Sequence, residues 1–424
     1  MKLAIFGGES VRQKSWPIWP PDSENSQKHL LEVLKSHRWT IRGWYTGHKS
    51  KQTEFAERFA QFNNAKHCVM TASGSASLLV ALEACNIGVG DEVIIPTYTW
   101  IATGIAITNV NAIPVFVDVD KNTGCIDPQA IEAAITSKTR AIIPVHLHCA
   151  IADMDAIMRI AKKHDLYVIE DCAQAHGARY NESYVGTLGH IGAFSMNQEK
   201  VLCCGEGGAI LTNNEDFFDR LGRLRADGSR TVSTSPVLGR YELVDTGGLM
   251  GANYCMSDFQ AAVLLTELES LEDRNRRREI NATYLNKNLS NLGGLIPIES
   301  SLQTTARTYF KYAIRRHPEA FEGVPTFLLC QALTLELGFA VEQTECQPLH
   351  QNPLYCPTSK RRHHLSDEYL KLLDTSNLRF PSAEAHYVNT LVFHHRILLA
   401  EIADLDDIIE AFAKVQNNAE ELVK

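Results

Sequence analysis

Residues 67–96 read HCVMTASGSASLLVALEACNIGVGDEVIIP, and the alternation that begins here decides the fold. An apolar run, His67–Ala72, breaks into small residues at Ser73-Gly74-Ser75. A helical stretch, Ser75–Cys85, follows, and Gly90-Asp91 turns the chain into a second run, Glu92–Pro96. Short, nearly continuous runs rich in Val and Ile are the pattern of strands buried on both faces. Outward from this stretch the pattern recurs as far as about residue 215, at Ile113–Val119, Arg140–Leu147, Tyr167–Cys172, Ile191–Asn197 and Gly208–Thr212. Amphipathic pieces at Thr99–Asn109, Pro128–Ile135 and Asp153–His164 separate most of these runs. Strand, helix, strand predicts an α/β fold with a mostly parallel sheet and helices on both faces. Only a Gly-rich turn separates the last two runs, which predicts a mixed sheet at that end.

Past Met250 the pattern changes. Phe259 to Leu289 reads as one long helix with Leu264, Leu268 and Leu271 on a stripe, and its Arg274–Arg278 segment reads as a solvated face. Gly293-Gly294 opens a boundary, so the expected units are a large domain over residues 1–290 and a smaller C-terminal α/β domain over residues 291–424. In the latter, Tyr309–Arg315 and Thr390–Leu399 read as strands and Pro325–Leu337 as a helix. A closing helix carries Leu405, Ile408, Ile409, Phe412 and Val415 on one face, with Asp404 as its expected N-cap. The polar stretch from Pro348 to Asp367 reads as a loop. No repeat is present.

The chain has 424 residues, more than one core supports, since cores stop growing near roughly 250–300 residues. Fifty acidic against 41 basic residues leave a net charge of −9. A mildly acidic chain is a poor nucleic-acid binder overall, because phosphate contacts need a clustered positive face. No run approaches the ~18 apolar residues of a membrane span, and the start has too short an apolar run for a signal peptide. The eleven cysteines lack metal-site spacing. They read as free thiols of a cytoplasmic protein, and no metal site is expected.

In an open α/β sheet, ligands sit beyond the carboxyl ends of the strands. After the first run, Ser73-Gly74-Ser75 opens a helix: either a phosphate cup or a simple helix cap. After the second stands Trp100, which either stacks on a flat ring or packs in the core. After the fifth comes Glu170-Asp171-Cys172-Ala173-Gln174, where an acid at a buried strand tip serves a metal, a ribose or a ring nitrogen. After the sixth, Ser195 is followed by Lys200 and by Gly205-Glu206-Gly207-Gly208. A lysine there is a carbonyl nucleophile if buried, or an ordinary loop residue. No G-x-x-x-x-G-K-[ST] or properly placed G-x-G-x-x-G exists. Cup, lid, acid and lysine together are what pyridoxal phosphate requires.

This set resembles the DegT/DnrJ/StrS family of sugar aminotransferases, which are fold-type I pyridoxal phosphate enzymes. Gly251-Ala252-Asn253-Tyr254 and Ser257-Asp258-Phe259-Gln260-Ala261-Ala262 add to the resemblance, which spans essentially the whole chain. Within the family the chain is most similar to the cyclitol branch, the L-glutamine:2-deoxy-scyllo-inosose and scyllo-inosose aminotransferases. The segments that carry this are Trp16–Pro20, Arg38-Trp39, Pro144–Leu147, Ala152–Asp155, Asn253–Ser257 and His394–Leu399. The resemblance implies a transamination in which L-glutamine or L-glutamate supplies the amino group and a cyclic polyhydroxy ketone receives it, in aminocyclitol biosynthesis. It implies Lys200 as the residue that binds the cofactor aldehyde and moves the proton, and Asp171 on the ring nitrogen. It further implies Gln174 at the ring hydroxyl, Trp100 over one face, and Gly74, Ser75 and Ser195 at the phosphate. Asn253 would reach the phosphate from the other subunit of a homodimer, with residues 1–60 near that partner. Tyr45 and His350 are expected near the substrate. Cys255 stands where most sugar aminotransferases carry Arg, which points away from a nucleotide-sugar acceptor. Glu199 is expected to face away from Lys200, and strand alternation would turn only one of His394 and His395 inward. The alternatives are an amino-hydroxybenzoate synthase-like dehydration, a nucleotide-sugar aminotransferase, and a non-catalytic cofactor-binding regulator.

Overall fold

The computed structural model describes residues 2–231, 236–317 and 319–423. Seven of the apolar runs form one sheet: β1 His67–Thr71, β2 Glu92–Pro96, β3 Ile113–Val117, β4 Thr139–Ile142, β5 Tyr167–Asp171, β6 Ile191–Ser195 and β7 Gly208–Thr212. Their order is β1-β7-β6-β5-β4-β2-β3. The pairs β2–β3, β2–β4, β4–β5 and β5–β6 are parallel. β7 runs antiparallel to both β6 and β1, the mixed end that the short Gly-rich turn predicted. After β3 the chain returns to the other side of β2, so the strand order reverses between β2 and β4. A crevice opens at that point, beyond the carboxyl ends of the strands.

The strands are short because their apolar runs are short, and burial on both faces explains their composition. Val93, Ile94, Ile95, Val168 and Ile169 are wholly buried. Each such side chain contributes about 1.5–3 kcal/mol on leaving water. β4 ends at Ile142, five residues before the expected Leu147, because Pro144 has no amide to continue the ladder. Helices α1 Glu24–Ser36, α2 Lys51–Phe62, α3 Gly74–Ala84, α4 Ile101–Asn109, α5 Pro128–Ala134, α6 Met154–His164 and α7 Glu215–Leu224 surround the sheet. α3 is apolar nearly all round and is buried from Ala76 to Ala84 with few breaks, so it lies inside the large unit rather than over it.

The long helix expected over Phe259–Leu289 is two helices, α8 Asp258–Glu269 and α9 Leu271–Asn291. Ser270 separates them at φ −99° and ψ −4°, where its amide turns back to the Leu268 carbonyl. Serine competes for backbone partners and is a weak interior residue, so the break falls there. Nor is the arginine segment wholly solvated. Arg276 is exposed, but Arg278 is fully buried and its guanidinium lies 5.2 Å from the Trp19 ring centroid. Burial pulls its pKa down to about 9.

The second sheet joins β8 Leu295–Pro297, β9 Lys311–Arg316, β10 Val341–Gln343 and β11 Thr390–His394 in the antiparallel order β8-β9-β11-β10. Helices α10 Thr326–Leu337, α11 Asp367–Leu372, α12 Pro381–Asn389 and α13 Ile402–Asn417 complete this part of the chain. The stretch 348–366 is irregular apart from two short 3-10 turns, as its composition predicted. The expected strand Thr390–Leu399 stops at His394, and His395–Leu399 coils into a 3-10 turn. Alternation therefore does not separate the two histidines. His394 Nε2 meets Glu199 Oε2 at 3.2 Å, and His395 Nε2 meets the Glu199 carbonyl at 3.1 Å. Asp404 is not the N-cap of α13. Glu401 holds that place, and Asp404, three residues on, closes the capping box on the Glu401 amide at 3.3 Å.

The first residues of the chain pack against this second unit, although the expected boundary at residue 290 assigns them to the first. Buried Glu336 of α10 accepts hydrogen bonds from the amides of Ala4 and Val11 and from Lys414 Nζ of α13. Trp16 Nε1 donates to the Leu337 carbonyl at 2.8 Å. Arg12 pairs with Asp404 at 3.0 Å and with Asp407 at 2.7 Å.

Candidate active site

A cavity of about 420 Å³ opens where the carboxyl ends of β1, β5 and β6 face the first residues of β9. Its cup is built by close approach. Ser73 caps α3 by accepting the Ala76 amide at 3.1 Å, which leaves the amides of Gly74 and Ser75 at the start of the helix with no preceding turn to bond. A Cβ on Gly74 would stand 2.5 Å from the Cβ of Ser195, and one on Gly208 would stand 2.4 Å from the Ser73 carbonyl. Both glycines are thus required for β1 and β6 to bring Ser73–Ser75 and Ser195 together. A helix start with free amides, a positive dipole end and two hydroxyls suits a phosphate.

Asp171 ends β5 and is buried. Its Oδ2 accepts from Thr103 Oγ of α4 at 2.9 Å, and its Oδ1 from the Ala173 amide at 3.2 Å. Burial pushes its pKa up, while those two hydrogen bonds and the Lys200 ammonium pull it back. Glu170 points to the opposite side of the same strand, as alternation requires. Its oxygens are filled by the amides of Gly186, Leu188 and Gly189, at 2.7–2.8 Å, and by His146 Nε2 at 3.3 Å. The Ala152 amide donates to His146 Nδ1, so the ring proton sits on Nε2 and faces the carboxylate. Glu170 is a scaffold for the strand tip, and of the two neighbouring acids only Asp171 lines the cavity.

Lys200 also lines the cavity. Its Nζ lies 3.8 Å from the Phe310 ring centroid. Burial is the main cause that draws its pKa down to about 8. The charges of Asp171 and Glu345 resist the fall, and that of Lys311 adds to it. A substantial fraction of neutral amine near neutral pH makes a lysine a nucleophile and a base. Glu199, the preceding residue, turns its half-exposed carboxylate to His394. Trp100 is 50% exposed yet lines the cavity, so its ring is not consumed by core packing. Gln174 Oε1 accepts from the His148 amide at 2.6 Å, which fixes the side chain and leaves its NH2 for a ligand.

Gly74, Ser75, Trp100, Asp171, Gln174, Ser195 and Lys200 thus meet around one cavity. Three expected residues do not line it in this chain. Asn253 is exposed, and its Oδ1 accepts from the Cys255 amide at 3.3 Å. Tyr45 lies in the N-terminal part, where its amide donates to the Arg240 carbonyl. His350 is buried with both ring nitrogens engaged, Nδ1 by Thr97 Oγ at 2.9 Å and Nε2 by Glu384 at 3.0 Å. Four lining or supporting residues were missed: Thr103, Phe310, Lys311 and Glu345. Thr103 carried a signal, a polar residue one turn after Thr99 in an apolar helix. The other three carried none, because they come from the second sheet.

A phosphate cup, a flat exposed ring, a buried carboxylate and a lysine of lowered pKa, arranged round one space, fit a phosphorylated pyridine aldehyde. Residues 21–412 match the model of the DegT/DnrJ/EryC1/StrS aminotransferase family. The chain belongs to this family. It is an aminotransferase fold whose members use pyridoxal 5′-phosphate. The chain is 47% identical to an L-glutamine:2-deoxy-scyllo-inosose aminotransferase of Streptoalloteichus tenebrarius, over 99% of each chain. It is 46% identical to an L-glutamine:scyllo-inosose aminotransferase of Streptomyces griseus, again over 99% of each. Among solved structures, an aminotransferase from Psychrobacter cryohalolentis superposes with a TM-score of 0.82 at 28% identity, over 96% of this chain and 100% of that one. A 3-amino-5-hydroxybenzoic acid synthase superposes with a TM-score of 0.80 at 25% identity, over 96% and 99%.

Proposed function

We propose that this aminotransferase moves the amino group of L-glutamine to a keto-cyclitol such as 2-deoxy-scyllo-inosose or scyllo-inosose, in aminocyclitol biosynthesis in the cytoplasm. The observation that carries the reading is the likeness over 99% of the chain to relatives named for that reaction. Cys255 supports it. The thiol donates to the Arg225 carbonyl, and the residue supplies no cation for a nucleotide diphosphate. Pyridoxal phosphate, when bound, supplies the aldehyde and the electron sink for exchange of an amino group.

The protein's part is positional and acid–base. Gly74, Ser75 and Ser195 hold the phosphate, Trp100 covers the ring and Gln174 donates to its hydroxyl. Asp171, whose oxygens accept from Thr103 Oγ and the Ala173 amide, would pair with the ring nitrogen and favour a proton there. Lys200 Nζ would hold the aldehyde when the cofactor is bound, and its amine is placed to accept a proton from the donor's α-carbon. A pKa of about 8 suits proton transfer in both directions near neutral pH. A homodimer in which Asn253 and Tyr45 reach the partner's cavity completes the arrangement. That would account for two site residues that stand apart from the cavity of their own chain, whereas His350 serves as a packing residue.

The test is a half-reaction. Holo-protein mixed with L-glutamine should change its visible absorption, and 2-deoxy-scyllo-inosose should restore it with formation of an aminocyclitol. Lys200→Ala should lower turnover by at least about 10⁴-fold, the upper range for a lost acid–base group. An aromatic amino acid as product would favour the synthase-like alternative instead.

A further inference from the structure

We propose that Glu345 selects the substrates of this site. Its carboxylate accepts hydrogen bonds from the neutral amide of a donor side chain and turns away a second carboxylate, while Lys311 takes the donor's α-carboxylate. The inference rests on the function proposed above and deepens it.

Both residues line the cavity that holds Lys200. Glu345 follows β10, and its backbone is pinned on both sides. The Thr344 amide donates to the Thr390 carbonyl, and the Cys346 amide to Thr344 Oγ at 3.2 Å. Yet Glu345 Oε2 is buried and has no hydrogen-bond partner. A buried acceptor left unpaired is costly, and the cost is relieved when a ligand brings an N–H or O–H to it. Lys311 begins β9, and its Nζ lies 5.5 Å from the Phe310 ring centroid. Among the described residues lining the cavity, Lys311 and Lys200 are the two cations. Lys200 is taken by the exchange chemistry, so Lys311 is left for an α-carboxylate.

The chemistry then separates two donors of nearly equal shape. The L-glutamine side chain ends in an NH2 that donates to Glu345. The L-glutamate side chain ends in a carboxylate, which has no proton to give and repels Glu345 at close range in a site of low dielectric. The hydroxyls of a polyhydroxy ketone satisfy the same oxygen in the second half of the exchange.

The experiment compares holo-wild-type with Glu345→Gln, Glu345→Asp and Lys311→Met. Rates of the spectral half-reaction are measured with L-glutamine and with L-glutamate. Binding of the unreactive pair glutaramate and glutarate is measured by calorimetry, so that a slow variant still reports. Wild type should favour glutamine, and glutaramate over glutarate. Glu345→Gln should shrink both preferences at least tenfold, chiefly by improving the acidic member of each pair. Glu345→Asp should keep the direction of both. Lys311→Met should weaken both members of each pair alike. An unchanged glutamine-to-glutamate ratio in Glu345→Gln, with normal glutamine use by wild type, overturns this inference and leaves the aminotransferase reading standing. A wild type that reacts with neither donor overturns both.

Discussion

Thr103 bears on the acid proposed for the ring nitrogen, since its hydroxyl donates to Asp171. Burial raises the Asp171 pKa, and the Thr103 hydrogen bond, at 2.9 Å, is the largest influence that lowers it again. Thr103→Val removes that bond, so the carboxyl pKa rises further. A hydrogen bond to a charged group is worth about 1.5–3 kcal/mol, so kcat should fall about ten- to a hundredfold. The acid limb of the pH–rate profile should also move to higher pH; an unmoved limb would count against the assignment. Lys200 gives a second prediction of pH dependence. Only the neutral amine attacks an aldehyde, and the neutral fraction rises with pH through the pKa. Uptake of pyridoxal phosphate by apoprotein should therefore accelerate with pH and level off above about 8, where an ordinary lysine would still be climbing toward 10.5. Stopped-flow absorbance across that range checks it. Lys200 and Asp171 were both legible as residues, because a lysine and an acid at strand ends of a buried sheet call for a chemical reason.

At the scale of elements, the cup depends on two strand ends and one helix start meeting without side chains between them. Gly74→Ala would place a methyl 2.5 Å from the Ser195 Cβ. Neither partner is a flexible chain end, so β6 and the start of α3 must separate. The expected outcome is a fold that survives with about 1–3 kcal/mol of overpacking cost and at least tenfold weaker cofactor retention. Dialysis followed by absorbance measures the retention, and urea unfolding the stability. Existence of the elements was readable from periodicity, but their ends were not. Ser270 divides α8 from α9, yet the stripe Leu264, Leu268, Leu271 runs through it in the sequence. His395 leaves β11 for a 3-10 turn although a strand was expected over Thr390–Leu399. At the first break Glu267 and Arg274 pair across the bend at 2.6 Å, and at the second the distant Glu199 carbonyl meets His395.

At the scale of the molecule, the first residues of the chain are tied to the last helices through one buried acid. Glu336 pairs with Lys414 at 2.8 Å and receives the amides of Ala4 and Val11. Glu336→Ala leaves two amides without partners and the buried Lys414 ammonium with the Glu9 carbonyl but no counter-charge, a change that costs about 3–5 kcal/mol. Urea unfolding should register that loss, together with earlier proteolysis near the N-terminus; a loss below about 1 kcal/mol would mean the strap carries no weight. The expected domain boundary at residue 290 missed this tie because Ala4 and Glu336 are 332 residues apart, and no local pattern marks a partner at that distance.

Local periodicity by itself determined the seven-stranded α/β sheet and the order cup, ring, acid, lysine along it. Strand burial and strand ends are properties of neighbouring residues, and the ligand side of such a sheet follows from its winding. Only the tertiary structure decided that Arg278 is buried beside Trp19, and that Phe310, Lys311 and Glu345 close the site from the second sheet. The reason is that the facing of a side chain depends on which distant strands and helices pack around it, and the energy of those contacts is gained only once the chain has closed on itself.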